Sequence, residues 1–162
     1  MTDAEKRVIL VGLDDSSHSY HALEWALDLF FTPSGSNSGF KLIIVHARPT
    51  PTSVLGFAGP GSIEAVPMVE KDLKKTANRV ISKAKEICNS KSVECSEMEI
   101  VEGDARNVMV ETVDKYHASV LVLGSHGYGA VKRLVLGSVS DYCAHHAHCS
   151  VMIVKQPKAP KT

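Results

Sequence analysis

The residues best suited to chemistry lie between Val122 and Ser140, which read VLGSHGYGAVKRLVLGSVS. Gly124, Gly127 and Gly129 follow an apolar run, and Gly137 comes just before a helix-like pattern. Glycine lets backbone N–H groups approach a ligand without a side chain in the way. A helix N-terminus adds unsatisfied N–H groups and a partial positive charge. Ser138 and Ser140 add hydroxyl donors at that helix start. The pattern suits a phosphate. No GxxxxGK[ST] loop is present, and no GxGxxG follows the first apolar run, so the two commonest phosphate loops are excluded. The same glycines would also serve as plain turns and a helix start, and spacing alone leaves both readings open.

Other candidates are weaker. Asp14 follows the first apolar run and suits either a helix entry or a ligand contact. Hydrolysis needs a positioned water and charge neutralisation, and no second group for it stands out, so no catalytic residue is assigned. His126, Lys132 and Arg133 lie inside the glycine stretch, where solvated loop positions explain them as well as phosphate contact does. Cys143, His145, His146, His148 and Cys149 have metal-ligand chemistry, but they straddle an expected helix end on differing faces, so no metal site is assigned. Cys88 and Cys95 complete a scattered set without CxxC spacing, which suits free thiols.

The elements that must position these groups are legible as alternating periods. Short apolar runs at residues 8–11, 42–45 and 120–123, and the run Val151, Met152, Ile153, Val154, read as strands buried on both faces. A fifth, more polar strand over residues 95–101 reads as an edge. Leu23, Ala26, Leu27 and Phe30 mark one helix, with Asp15, Ser16 or Ser17 as its cap and Trp25 partly buried on it. Residues 32–39 read as a surface turn, and residues 48–68, rich in proline and glycine, as a long irregular loop. A long amphipathic helix follows from Val69. Another opens at Asp104 with Val108, Met109, Val113 and Tyr116 inward. The last carries Val139, Cys143 and Ala147. Five strands alternating with four helices predict an α/β, doubly wound, parallel sheet. Ligands in such sheets sit beyond the carboxyl ends of the strands.

Composition bounds the rest. The 162 residues suit a single domain over 1–162, with polar tails. Formal net charge is zero, so no nucleic-acid footprint is present. The first apolar run is too short to span a bilayer, so no membrane partner is expected and the cytoplasm is the expected location. An apolar edge strand such as Val151 to Val154 invites pairing with a second copy of the chain.

The glycine spacing Gly124-x-x-Gly127, nine residues, Gly137-Ser138 resembles the nucleotide-binding signature of the universal stress protein family. The flanks VILVGLDDS, IIVHA and LGSVSDYCAHHAHCSVMIVK extend the resemblance over about residues 7–155. It implies a sheet of order 3-2-1-4-5 of the Rossmann-like, adenine nucleotide alpha hydrolase-like kind. It also implies a homodimer and bound ATP, with AMP or ADP as the other adenylates and Mg2+ as a companion of the phosphates. Carried over by position, Gly12, Leu13 and Asp14 border the ribose or a metal-bound phosphate, and Ala47 packs on adenine. Leu123 and Gly124 border base and sugar. Gly127, Gly137, Ser138, Val139 and Ser140 surround the phosphates. Gly12-Leu13 departs from the Pro-Thr of some ATP-binding relatives, which weakens the expected ribose contact at Leu13. The implied function is a dimeric, ATP-dependent regulatory module of the stress response that acts on an unknown protein partner. A slow ATPase of the same fold is the alternative.

Overall fold

The structure is a computed structural model, and it describes residues 5–32, 38–56, 62–125 and 137–157. Five strands form one parallel sheet in the order β3-β2-β1-β4-β5. They are β1 (Arg7–Leu13), β2 (Phe40–Arg48), β3 (Glu97–Glu102), β4 (Val120–Gly124) and β5 (Ser150–Val154). The helices are α1 (Ser17–Phe30), α2 (Pro51–Leu55), α3 (Val66–Ser90), α4 (Ala105–Tyr116) and α5 (Ser138–His146). The order 3-2-1-4-5 is the one the family resemblance implies, and the helix-covered parallel sheet is the one the sequence pattern predicts.

Alternating strand residues divide the core in two. Ile9, Val11, Leu13, Leu42, Ile44, Val122 and Val154 pack against Ala22, Leu23 and Leu27 of α1 and Val80 and Ala84 of α3. Leu10, Ile43, Val45, Leu121 and Leu123 pack against Val108, Met109 and Val113 of α4 and Cys143 of α5. Burying each such branched side chain contributes about 1.5–3 kcal/mol. The central strand β1 is buried over its last five residues, as a strand covered on both faces must be. On the β3 edge Glu97 and Glu102 are exposed, Glu99 is half-buried and Ile100 is exposed, and Lys115 of α4 pairs with Glu99 at 2.8 Å. Charge on such an edge discourages pairing with other chains.

Local chemistry sets the helix starts. Ser16 caps α1 by accepting the Ser19 N–H at 3.2 Å. Asp104 caps α4, accepting the Arg106 N–H at 3.0 Å. α4 ends at His117, whose φ of 51° is left-handed.

Four expectations need correction. Residues 48–68 are not one irregular loop: β2 runs to Arg48, and Thr50 caps α2 with Pro51 in its first turn. A 3-10 turn over Ser62–Ala65 then leads into α3, which begins at Val66 rather than Val69. Trp25 is 39% exposed, because the buried stripe of α1 runs through Ser19, Ala22, Leu23, Ala26 and Leu27 and leaves Trp25 on the flank. Ala147 caps the end of α5 instead of lying within it. Among the described residues no helix is long and apolar enough to cross a membrane.

Candidate functional site

All five strands run the same way, so β1, β2 and β4 deliver their carboxyl ends to one edge. At the exit of β1, Leu13 is buried and Asp14 is half-buried. Asp14 Oδ1 accepts the Ser16 N–H at 3.0 Å and also the Ser16 hydroxyl. Ser19 Oγ accepts the Asp14 N–H at 3.2 Å and donates to the Asp14 carbonyl at 2.7 Å. Asp14 is thus built into the turn that starts α1.

Asp15 faces the other way, toward α3. Its Oδ2 accepts from Arg79 Nε at 3.0 Å and from Arg79 Nη2 at 2.6 Å, and its Oδ1 accepts the Tyr20 hydroxyl at 2.9 Å. Hydrogen bonding from Arg79 holds the Asp15 carboxyl below its ordinary range. Burial opposes the shift, and the Tyr20 hydrogen bond adds to it. Burial, and then the bond to Asp15, push the Tyr20 hydroxyl up. This trio was not legible as a site residue set. Its members are separated by up to 64 positions, and only the fold brings them together.

The β4 side holds the start of α5. Ser125 N–H donates to the Val154 carbonyl at 3.0 Å, and the Ser125 carbonyl accepts from Gly137 N–H at 2.8 Å. Ser140 Oγ donates to the same carbonyl at 3.1 Å. Ser125 therefore ties the end of β4 to the start of α5. Gly137, with φ −61° and ψ 155°, occupies the N-cap position, and no side chain caps this helix. α1, α2 and α4 each receive a side-chain cap, from Ser16, Thr50 and Asp104, whereas α3, like α5, has none. The first N–H groups of α5 keep the capacity to meet an anion. Ser138 is exposed there, Val139 is half-buried and Ser140 is buried.

The remaining assigned residues divide between the two faces. Gly12, Ala47 and Leu123 lie on the α4 side. A Cβ on Gly12 would sit 2.6 Å from Met109 Sδ and 2.7 Å from Leu123 Cδ2. Leu13 and Gly124 lie on the α1 side. A Cβ on Gly124 would sit 2.8 Å from the backbone C and O of His18. Both glycines have a packing reason to be glycine. His46 is buried opposite Leu13, and its Nδ1–H donates to the Leu13 carbonyl at 2.8 Å, fastening β2 to β1. Gly127, His126, Lys132 and Arg133 lie outside the described residues.

Among the described residues no group of three or more His, Cys, Asp or Glu side chains could hold a metal ion. Cys88, Cys95, Cys143 and Cys149 are free thiols. Burial pushes Cys143 up to about 11 and Cys88 up to about 12, so these thiols stay protonated and unreactive.

A parallel sheet of order 3-2-1-4-5, covered by helices on both faces, defines the class as an adenine nucleotide alpha hydrolase-like α/β fold. Within that class the universal stress protein family model matches residues 6–155, and the chain belongs to this family. It is similar to the universal stress protein PHOS34 of Arabidopsis thaliana, at 31% identity over 96% of the chain. The chain spans 64% of the length of that relative. The universal stress protein UspA from Lactobacillus plantarum shares the fold with a TM-score of 0.71 at 16% identity, covering 94% of this chain and 99% of that one. So does a universal stress protein family protein from Arabidopsis thaliana with AMP bound, with a TM-score of 0.62 at 23% identity, covering 93% and 92%.

Proposed function

We propose that this chain is an adenine-nucleotide-binding module, acting as a single cytoplasmic domain, with ATP as its ligand. The observation that carries the reading is the N-terminus of α5, uncapped by any side chain and pinned through Ser125 to the end of β4. It offers N–H donors and a positive dipole end to phosphate at the edge where α/β sheets take ligands. The structural neighbour that holds AMP supports adenine as the base. In this reading Gly12, Leu13 and Asp14 border the ribose or a metal-bound phosphate, Ala47 packs on adenine, Leu123 and Gly124 border base and sugar, and Gly127, Gly137, Ser138, Val139 and Ser140 surround the phosphates.

Asp14 brings a negative charge to a site for a polyanion. A hard cation with oxygen ligands resolves that conflict, so Mg2+ would accompany the triphosphate and Asp14 would face it, directly or through water. Calorimetry checks this: chelating Mg2+ is expected to weaken ATP binding at least tenfold while leaving AMP binding within about threefold. Equal weakening of both ligands would remove the metal from the account.

The module acts by holding the nucleotide and presenting a surface to a protein partner. Asp14 Oδ1 is committed to starting α1, a structural task, which favours binding over hydrolysis. The reading also includes a homodimer. The β5 edge carries half-buried Val151, Met152 and Ile153. Trp25 and Leu29, on the flank of α1 opposite Tyr20, add apolar surface that is 39% and 53% exposed. A second copy would pair its β5 with this one about a two-fold axis. Light scattering at micromolar concentration is expected to give twice the 17.5 kDa chain mass. A species at the single-chain mass that persists at high concentration would contradict the dimer.

A further inference from the structure

We infer that Arg106, oriented by Asp104 and Tyr142, is a phosphate ligand that separates nucleotide from nucleoside, an inference that rests on the adenine-nucleotide reading. α4 follows β3, and α5 is tied to the end of β4 through Ser125, so both helices begin at the carboxyl edge of the sheet. They cover the same face, with Val108, Met109 and Val113 of α4 and Cys143 of α5 in one core cluster. Arg106 is the second residue of α4, and its guanidinium lies 5.9 Å from the centroid of the Tyr142 ring. Tyr142 is four residues after Ser138, on the same side of α5 and one turn away. Side chains of a helix lean toward its N-terminus, so the Tyr142 ring reaches back toward the first turn, with the His146 ring packed behind it at 4.3 Å. A cation from α4 is thereby held beside the helix start that is proposed to meet the phosphates.

Asp104 fixes the guanidinium without consuming it. Arg106 Nε donates to Asp104 Oδ1 at 3.1 Å, and Nη2 donates to Oδ2 at 3.2 Å. A guanidinium carries five N–H donors, so three remain for an acceptor, two of them on Nη1. Asp104 is itself anchored, because its Oδ1 accepts the Arg106 backbone N–H at 3.0 Å as the cap of α4. A planar guanidinium with an open edge matches the oxygens of a phosphate, and adenosine has no charged group to offer it. The Arg106 and Asp104 side chains are 50% and 46% exposed, so their ion pair is weak and a phosphate can share the arginine without breaking a buried contact. The cap and the buried residues of α4 do not involve the Arg106 side chain, so its replacement should leave the helix in place.

Calorimetric titration of adenosine and AMP without metal tests the inference. Arg106→Gln is expected to leave the thermal melt and adenosine binding unchanged and to weaken AMP about threefold to tenfold at low salt. The loss should shrink as salt is raised. Arg106→Lys keeps the charge but not the planar fork, and should recover only part of the AMP affinity. Equal weakening of adenosine and AMP in Arg106→Gln would assign the residue to the base or to the packing of α5 and overturn the phosphate role. Unchanged AMP affinity in that variant, with the wild type binding normally, would reject the inference alone. A wild type that binds neither ligand would reject the nucleotide reading beneath it.

Discussion

Replacing Gly124 with alanine is expected to lower stability by about 1–3 kcal/mol, because the site is already filled. The new Cβ would come within 2.8 Å of the backbone C and O of His18 in the first turn of α1. Backbone at such a place does not yield as a flexible side chain would. Ser16 caps this turn, and Ser17 Oγ bonds Gln156 Oε1 at 3.0 Å just past β5, so α1 is held on both sides of the clash. Gly124 itself is paired with Val154 of β5 and has no free direction in which to move. For a chain of this size the cost corresponds to a fall in melting temperature of about 2–12 °C. Gly39→Ala is the control, since a Cβ there meets nothing within 4 Å. A thermal melt in which both variants match the wild type would show that β4 and α1 are not packed as described.

The second large effect concerns function rather than stability. Ser138→Pro is expected to leave the fold intact and to weaken ATP binding at least tenfold. Ser138 is the first residue of α5, a position where proline is favoured because its N–H has no partner within the helix. Proline also restricts the residue before it to extended backbone, and Gly137 already has φ −61° and ψ 155°. The substitution deletes one backbone donor aimed at the proposed phosphates and one hydroxyl, while the geometry of α5 is kept. A charge-assisted bond of that kind is worth about 1.5–3 kcal/mol, which is about one to two powers of ten in affinity. Ser138→Ala separates the hydroxyl from the N–H and should cost less. An unchanged ATP dissociation constant in Ser138→Pro, with an unchanged melt, would remove the helix terminus from the binding site.

Much of the fold could be read from the chain because its strands are short apolar runs and its longest helix is amphipathic. Val8 to Val11 and Leu42 to Val45 announced buried strands, and the interleaved glutamates of β3 announced an edge. The proline-rich residues 48–68 misled, because proline marks helix starts as readily as loops. Pro51 and Pro67 both lie in the first turns of helices. Choosing Ser16 over Asp15 and Ser17 as the α1 cap needed the fold, since all three residue types suit an N-cap or its neighbours. The glycines show the limit most clearly. Gly12 and Gly124 carry the same sequence signal as a phosphate loop, yet each also has a close packing partner that only tertiary contact reveals: Met109 and Leu123 for one, His18 for the other. Gly137 is different. Its carbonyl accepts from Asp141 N–H at 3.0 Å, its N–H is given to Ser125, and the free donors belong to the residues after it. The proposed phosphate chemistry therefore centres on Ser138 and Val139 more than on the glycine that precedes them. The Asp15, Tyr20 and Arg79 trio was invisible for a simpler reason: nothing in sequence joins α1 to a helix about 60 residues away.

The most direct measurement is mass spectrometry of small molecules released when the purified protein is denatured, with added ATP followed by calorimetry on the same preparation. The account predicts an adenylate in amounts approaching one per chain, or saturable ATP binding where the nucleotide has been lost in purification. No released adenylate, together with no heat of binding at millimolar ATP and Mg2+, would contradict it.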